Sequence, residues 1–356
     1  MLKWKRNLAM AMASVMTVAV VAGCGSSSSS ETAAPAESAD SSAAVTEEAA
    51  SGEVVDIIFS NVTSVSGKDA GVVFKQIAEE QSGGTLNIEL FDDNMLGDDR
   101  VVIETTVMGN IDIGVSSTSP LATMYADFYL FDAPFLFMNS EDAYAKLDGE
   151  VGQKILSDME SIGLKGLAFW ENGFRNFTND KVAAKVPADV AGMKVRVMEN
   201  EVHMSAWSAF GVNPTPMAFT EVFTALQQGT IDAQENPLGI IDANKFYEVQ
   251  DYVSLTQHVY TPYIVCMNLD KFNSLTAEQQ DAIMAASAES TTYQRERSQE
   301  LEAEILEGFA ASGTTVVELT TDEKAQWQQA ANDAAVFDLV KASMEHPEYL
   351  DEMLAQ

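Results

Sequence analysis

The chain has 356 residues, with 54 acidic against 20 basic side chains and a formal net charge of −34. So acidic a surface repels phosphate backbones and anionic lipid faces, which excludes nucleic acid and acidic membranes as partners. An anionic ligand has to be held by local cations, against the field of the whole protein.

Lys3, Lys5 and Arg6 precede an uncharged apolar run from Leu8 to Ala22. That run is shorter than the ~20 residues a membrane-spanning helix needs. It ends in Val21-Ala22-Gly23-Cys24, small residues directly before a cysteine. Residues 1–23 therefore read as a secretion signal with a lipobox, and Cys24 as the lipidated N-terminus that cleavage exposes. Residues 24–52 are a Ser/Ala/Glu/Pro stretch without an aromatic, Lys or Arg. Such a stretch cannot bury enough apolar surface to order itself, and it reads as a tether to the membrane. The remainder suffices for one large or two medium domains. Cys266, in the apolar run Tyr263 to Met267, reads as a buried thiol with no disulfide partner.

The folded part opens with a strand at Val54–Phe59, a helix at Lys68–Gln81 stopped by Gly83-Gly84, and an alternating strand at Leu86–Phe91. Asp98 caps a helix running through Met108, and Ile111–Val115 is a third strand. This β-α-β-α-β order argues a largely parallel sheet, whose ligands sit beyond the carboxyl ends of the strands. The tips after Phe59, Phe91 and Val115 are thus cleft candidates. The aromatic run Leu121–Phe137 reads as core. Glu141–Ser161 reads as one helix, Leu164–Trp170 as a strand, and Asn172–Phe177 as a loop crossing between two domains. Then come a strand carrying Arg196, a helix, the Pro214-Thr215-Pro216 loop, a second helix, and Gln234-Glu235-Asn236-Pro237. Pro262–Met267 reads as a strand returning to the first domain. Thr276 to Gln279 matches a capping box and opens a helix uninterrupted to Glu307, roughly 45 Å long. A strand at Thr314–Leu319 and one helix over Glu323–Met344 close the chain.

The arginines inform by their scarcity. Arg295 and Arg297 lie among glutamates and read as solvated; Arg100 follows two aspartates that can pair with it. Arg175 and Arg196 instead sit among apolar and amide residues. A guanidinium fork matches a carboxylate with two parallel charge-assisted bonds, and the alternative at either position is an interdomain ion pair. Asn236, held extended by Pro237, can donate to and accept from a ligand or serve as a turn residue. Phe219 can floor a pocket or belong to the core. His203, His258 and His346 have no metal-ligand spacing, and the chain carries no nucleophile elbow, dinucleotide fingerprint or phosphate loop. Neither a metal nor another cofactor is implied. Glu235 near Asp232 is the one acid pair open to an enzymatic reading.

Together these segments resemble the DctP-type solute-binding proteins of TRAP (tripartite ATP-independent periplasmic) transporters, over about Val54 to Met344. The resemblance is carried by LGDDR (Leu96–Arg100), NGFRNFT (Asn172–Thr178), GMKVRV (Gly192–Val197), NPTPMAFTE (Asn213–Glu221), LQQGTIDAQENP (Leu226–Pro237) and KFYEVQ (Lys245–Gln250). It implies an α/β, two-lobed fold like that of class II periplasmic binding proteins. Mixed sheets with flanking helices would be joined by a hinge, with a long helix across both lobes. Residues 53–172 with about 262–300 would form lobe I, and about 173–261 with 301–356 lobe II. Arg196 would clamp a ligand carboxylate, Arg175 would assist, Asn236 would bond the same group and Phe219 would pack on the ligand. Asp99 lies where some members contact distal polar groups. Sialic-acid binders of the family carry a Glu after the third strand, where this chain has Ser116-Ser117, which argues against sialic acid. The implied function is capture of a small carboxylate outside the cytoplasmic membrane and delivery to the permease subunits, without chemistry. C4-dicarboxylates are the first expectation. Sugar acids are the second, because Ser116, Ser117 and Asp99 can bond hydroxyls. A sensor that presents the same ligand is the remaining alternative.

Overall fold

A computed structural model describes residues 54–356; the expected signal segment, the tether and Cys24 lie outside the described residues. The first sheet begins as the sequence predicts. β1 (Val55–Ser60) leads through α1 (Val65–Gln81) to β2 (Leu86–Phe91), and α2 (Asp99–Val107) leads to β3 (Ile113–Ser117). β1 lies between β2 and β3, parallel to both. Ser64 caps α1 by accepting from the Gly67 amide, and Asp98 caps α2 by accepting from Val101. Those caps satisfy amides that a helix start leaves unpaired.

The expected single helix over 141–161 is two helices, α3 (Ser140–Asp148) and α4 (Glu150–Asp158). Gly149 is extended at their junction, so it ends one helix and starts the next. β4 (Leu164–Asn179) then corrects a larger expectation. Residues 172–177 are not a loop but the second half of one 16-residue strand. The first half pairs with β9 (Tyr260–Asn268), and the second with β7 (Ala233–Pro237) and β8 (Tyr252–Ser254). One strand therefore belongs to both sheets. Its register shifts between Glu171 and Gly173, where Gly173 has φ of +111°, a value open to glycine and strained for other residues. Gln294 holds this point from the long helix, accepting from the Glu171 amide and donating to its carbonyl, each at 2.7 Å.

The second sheet adds β5 (Lys194–Val197), α5 (Glu201–Ala209), β6 (Asn213–Pro216), α6 (Val222–Gln227) and α7 (Leu238–Ala243). Two segments not expected as strands, the first of them expected as a loop, are strands here. Asn213–Pro216 runs parallel to β5 at the sheet edge, where prolines are tolerated. Gln234–Pro237 lies in the interior, between β4 and β5. β9 is fully buried and antiparallel to β3 and β4, the apolar return to the first sheet.

After α8 (Leu269–Ser274), α9 (Ala277–Ser312) starts on the expected Thr276/Gln279 capping box and ends on left-handed Gly313. Its 36 residues span ~54 Å. It packs on α1 and β4, then on α7 and β10 (Thr315–Val317), and so runs along both lobes. The expected closing helix is again two, α10 (Thr321–Asp333) and α11 (Val336–Ser343), separated at left-handed Ala335. A further helix, α12 (Glu348–Ala355), packs on α4, where Tyr349 donates to Asp158 at 2.9 Å.

The aromatic run 125–137 is core, as expected. It shares one hydrophobic cluster with Trp207 and Phe210 at α5 and with Trp327 of α10. Trp207 lies within 5.5 Å of Phe177 and 5.3 Å of Phe210. Truncating a side chain so placed costs ~3–5 kcal/mol. A second cluster joins β1, α1 and α9 around Phe59, Phe74 and Trp170. Cys266 is wholly buried and unpaired, and burial pushes its thiol up to about 12. Arg295 is not solvated as expected: it is buried, forks onto Asp148 at 2.6 and 2.9 Å and donates to the Phe169 carbonyl.

Candidate functional site

Strand ends from both lobes line a cleft with about 380 Å³ of empty space, part of it open to solvent. From lobe I come Thr63 after β1, Asn94 and Asp99 after β2, and Ser117 at the end of β3. From lobe II come Arg196 and Met198 of the β5 end, Phe219, and Asn236 of β7. Asn172 and Arg175 of β4 lie between them. Six of the seven expected ligand groups thus converge: Arg196, Arg175, Asn236, Phe219, Asp99 and Ser117. Ser116 is fully buried and does not line the cleft; its hydroxyl bonds Asp99 instead. Thr63, Asn94 and Asn172 were not singled out as ligand groups. The first two lie at strand tips that the parallel order had marked.

The two arginines differ in what they touch. Arg175 is buried and donates from Nε and Nη2 to the Glu235 carboxylate at 2.5 and 2.8 Å. Nη2 also reaches the Glu235 carbonyl at 2.6 Å and Asn236 Oδ1 at 3.1 Å. The Asn236 amide group in turn donates to Gln234 Oε1. His258 contacts the same carboxylate through Nε2 at 3.0 Å, while its Nδ1 lies 2.8 Å from Thr256 Oγ1. Burial lowers the His258 pKa, so neutral imidazole donates to Glu235 and accepts from Thr256. For Glu235, burial alone would raise the pKa. The Arg175 charge and the bonds from His258 and Arg175 outweigh it and hold the carboxyl well below the usual range. Arg175 is therefore neutralised within its own sheet, by an ion pair that is not the interdomain one weighed for it, and it also steers the Asn236 side chain.

Arg196 has no such counterion. Its Nε and Nη2 both donate to the Met217 carbonyl, at 3.0 and 2.7 Å. Its Nη1 makes no hydrogen bond among the described residues. Burial, then the neighbouring Arg175 charge, holds this guanidinium down to about 10, although Glu235 and Asp99 pull the other way. It is a desolvated cation with one edge toward the cleft, which favours an anion strongly.

The facing wall carries an acid. Asp99 Oδ1 accepts from the Ser117 amide at 2.8 Å and from Ser116 Oγ at 3.0 Å. Oδ2 has no partner among the described residues, and Asp99 forms no ion pair with Arg196. Burial raises the Asp99 pKa above the usual carboxylate value, and the two serine bonds only partly offset this. Phe219 packs edge-on against Phe246, at 6.1 Å between centroids. It is both core support and cleft wall.

The other candidates lie elsewhere. Arg100 is exposed and pairs with Glu104 rather than with the aspartates before it. Asp232 pairs with Lys181 near the surface and Glu235 is engaged by Arg175, so the two do not form an acid–base pair. His203 is buried against Asp132 at 2.9 Å, and His346 contacts Asp127 at 2.7 Å. Among the described residues no cluster of His, Cys, Asp and Glu is arranged to hold a metal ion.

The family model of the bacterial extracellular solute-binding proteins, family 7 (DctP), matches residues 59–337. The chain is 38% identical over 244 residues to the 2,3-diketo-L-gulonate-binding periplasmic protein YiaO of Escherichia coli, covering 68% of this chain and 74% of that protein. It is 32% identical over 282 residues to the C4-dicarboxylate-binding periplasmic protein DctP of Rhodobacter capsulatus, covering 78% and 84%. Among solved structures, the sugar acid binding protein DctPAm of Advenella mimigardefordensis in complex with galactonate superposes with a TM-score of 0.81. It is 35% identical, and the match covers 85% of this chain and 97% of that one.

Proposed function

The chain belongs to the DctP family of bacterial extracellular solute-binding proteins, the solute-binding subunits of TRAP transporters, and from that premise we propose that it captures a small hydroxylated organic acid and delivers it, unaltered, to a membrane permease. The observation that carries this reading is the pairing of an uncompensated, buried Arg196 with a free carboxylate oxygen of Asp99 across one cleft. Arg196 holds the carboxylate of the solute, with Asn236 and Arg175 fixing the wall beside it. Asp99 accepts from a hydroxyl at the other end. A second ligand carboxylate would meet the negative charge of Asp99. This supports sugar acids over plain C4-dicarboxylates, and the solutes named for YiaO and for the galactonate complex are of that kind. Glu235 and Asp232, held in separate ion pairs, leave no acid–base pair for turnover, which supports a carrier over an enzyme.

The run before Cys24 supports secretion and lipid anchoring at that residue, on the extracytoplasmic face. No helix among the described residues is long and apolar enough to cross a membrane.

Thermal unfolding against galactonate, 2,3-diketogulonate, malate and succinate tests the reading. A binder stabilises by ~2.7 kcal/mol at a hundredfold excess over its Kd. Shifts with the hydroxylated acids exceeding that with succinate are expected. No shift with any acid would overturn the carboxylate assignment, and succinate as the strongest stabiliser would overturn the preference for hydroxylated solutes.

A further inference from the structure

Between β2 and α2 two consecutive residues that are not glycine, Asp93 and Asn94, have φ of 57° and 54°. Asp and Asn tolerate this left-handed region better than other side chains, but it persists only where surroundings impose it. Here the loop after β1 does so. The Asp93 amide donates to the Val62 carbonyl at 3.4 Å and the Asn94 amide to the Asn61 carbonyl at 3.3 Å. Asn61 Nδ2 reaches Asp92 at 3.1 Å, and Lys68 pairs with Asp93 at 2.9 Å. These bonds set Asn94 on the wall of the cleft that Asp99 and Ser117 also line.

Two neighbouring hydroxyls on this wall are engaged. Thr63 Oγ1 accepts from Asn244 at 3.2 Å, and Ser117 Oγ points to Met198 Sδ at 3.9 Å. The half-buried Asn94 amide makes no side-chain hydrogen bond among the described residues. A turn needs no side chain here, since glycine adopts the same backbone with less strain. We infer that Asn94 is a specificity-determining residue: its amide donates to a solute hydroxyl oxygen while the free oxygen of Asp99 accepts the proton of that hydroxyl. A hydroxyl satisfies both partners at once. A methyl group satisfies neither, and a carboxylate is repelled by Asp99.

This inference rests on reading the cleft as an organic-acid site. Its test uses the full chain with two probes, galactonate and 2-hydroxybutanoate, which lacks hydroxyls beyond the α carbon. Binding is measured by calorimetry, with displacement for the weaker acid. Asn94→Gly keeps the left-handed backbone and removes only the amide. It should weaken galactonate about tenfold and leave 2-hydroxybutanoate within about twofold. Asn94→Asp keeps the shape, loses the donor and adds charge beside Asp99, so it should weaken galactonate further. Far-ultraviolet circular dichroism and melting should match the parent protein for Asn94→Gly. Unchanged galactonate affinity in Asn94→Gly, or equal losses for both probes, would overturn the role of Asn94 alone. Failure of the parent protein to bind either acid would overturn the inference together with the function it rests on.

Discussion

The two walls of the cleft solve the problem of buried charge in opposite ways. In lobe II, Arg175 is consumed by the fold: Glu235 takes two of its donors, and His258 braces Glu235 from behind. Arg196, two strands away in the same sheet with β7 between them, keeps an edge free and a depressed pKa. In lobe I, Asp99 is half consumed, with one oxygen on Ser117 and Ser116 and the other open. The charge that holds the fold together has a counterion, and the charges meant for a solute have none among the described residues. The difference separates two arginines that are both buried and both line the cleft.

Glu235→Gln is the strongest way to break this comparison. It leaves Arg175 buried without its counterion, and such an unmatched charge costs ~3–5 kcal/mol. Chemical denaturation at neutral pH should show that loss. The acid limb should change too. The folded pKa of Glu235 lies below its unfolded value, so its stabilisation is complete above the usual carboxylate range and is lost as pH falls through it. The depressed His258 acts in the same direction, since the native state resists the proton that the unfolded chain accepts. The parent protein should therefore weaken progressively below about pH 6. The Glu235→Gln variant should lose less on acidification, because it has less to lose. An identical acid limb in the two proteins would mean that Glu235 is not the anchoring charge.

Arg196→Ala should do the reverse. It removes a desolvated cation whose only bonds among the described residues are to one carbonyl, so stability should stay level or rise slightly. Affinity for a carboxylate should fall ~100-fold, as expected for a lost bidentate charge-assisted contact. Calorimetry with galactonate checks the affinity, and a melting curve without ligand checks the fold. Loss of stability with affinity retained would exchange the roles assigned to the two arginines.

That Arg196 lines the cleft was legible in the sequence because a lone arginine amid strand-forming residues has few reasons to exist in so acidic a chain. Arg175 was ambiguous for a physical reason: its role depends on a carboxylate sixty positions away, which only the pairing of β4 with β7 brings to it. The same long-range pairing hid the strands at 213–216 and 233–237. Proline reads locally as a turn, and nothing nearby shows which neighbours will hydrogen-bond. The parallel opening, the capping box at Thr276 and the apolar return of β9 were legible because each is written in local periodicity or capping chemistry. The break at Ala335 was not, since neither glycine nor proline marks it and burial of Val336 and Val340 imposes it. Asn94 escaped because Asp-Asp-Asn is an ordinary turn signal wherever it occurs, and only its place at a strand tip hinted at the cleft.

The smallest effect is also the one that separates a wall built for stability from one built for binding. Asp99 has a folded pKa above its unfolded value. Between those values the native state holds more protons, so ionised Asp99 costs stability at neutral pH and the cost is relieved as pH falls. Asp99→Asn removes that cost. Its carbonyl oxygen can still accept from Ser117 and Ser116 if the amide group turns toward the cleft. The ligand-free protein should therefore gain up to ~1 kcal/mol, read as a higher melting temperature at pH 7 and little difference near pH 4. In the same variant a hydroxylated acid should bind ~10-fold more weakly, because the open oxygen that accepted its hydroxyl has become a donor. A side chain whose removal stabilises the empty protein and weakens the complex is retained for the solute. If Asp99→Asn instead lowered the melting temperature and left galactonate binding unchanged, Asp99 would be a structural cap for the β3 terminus, and Arg196 alone would define the site.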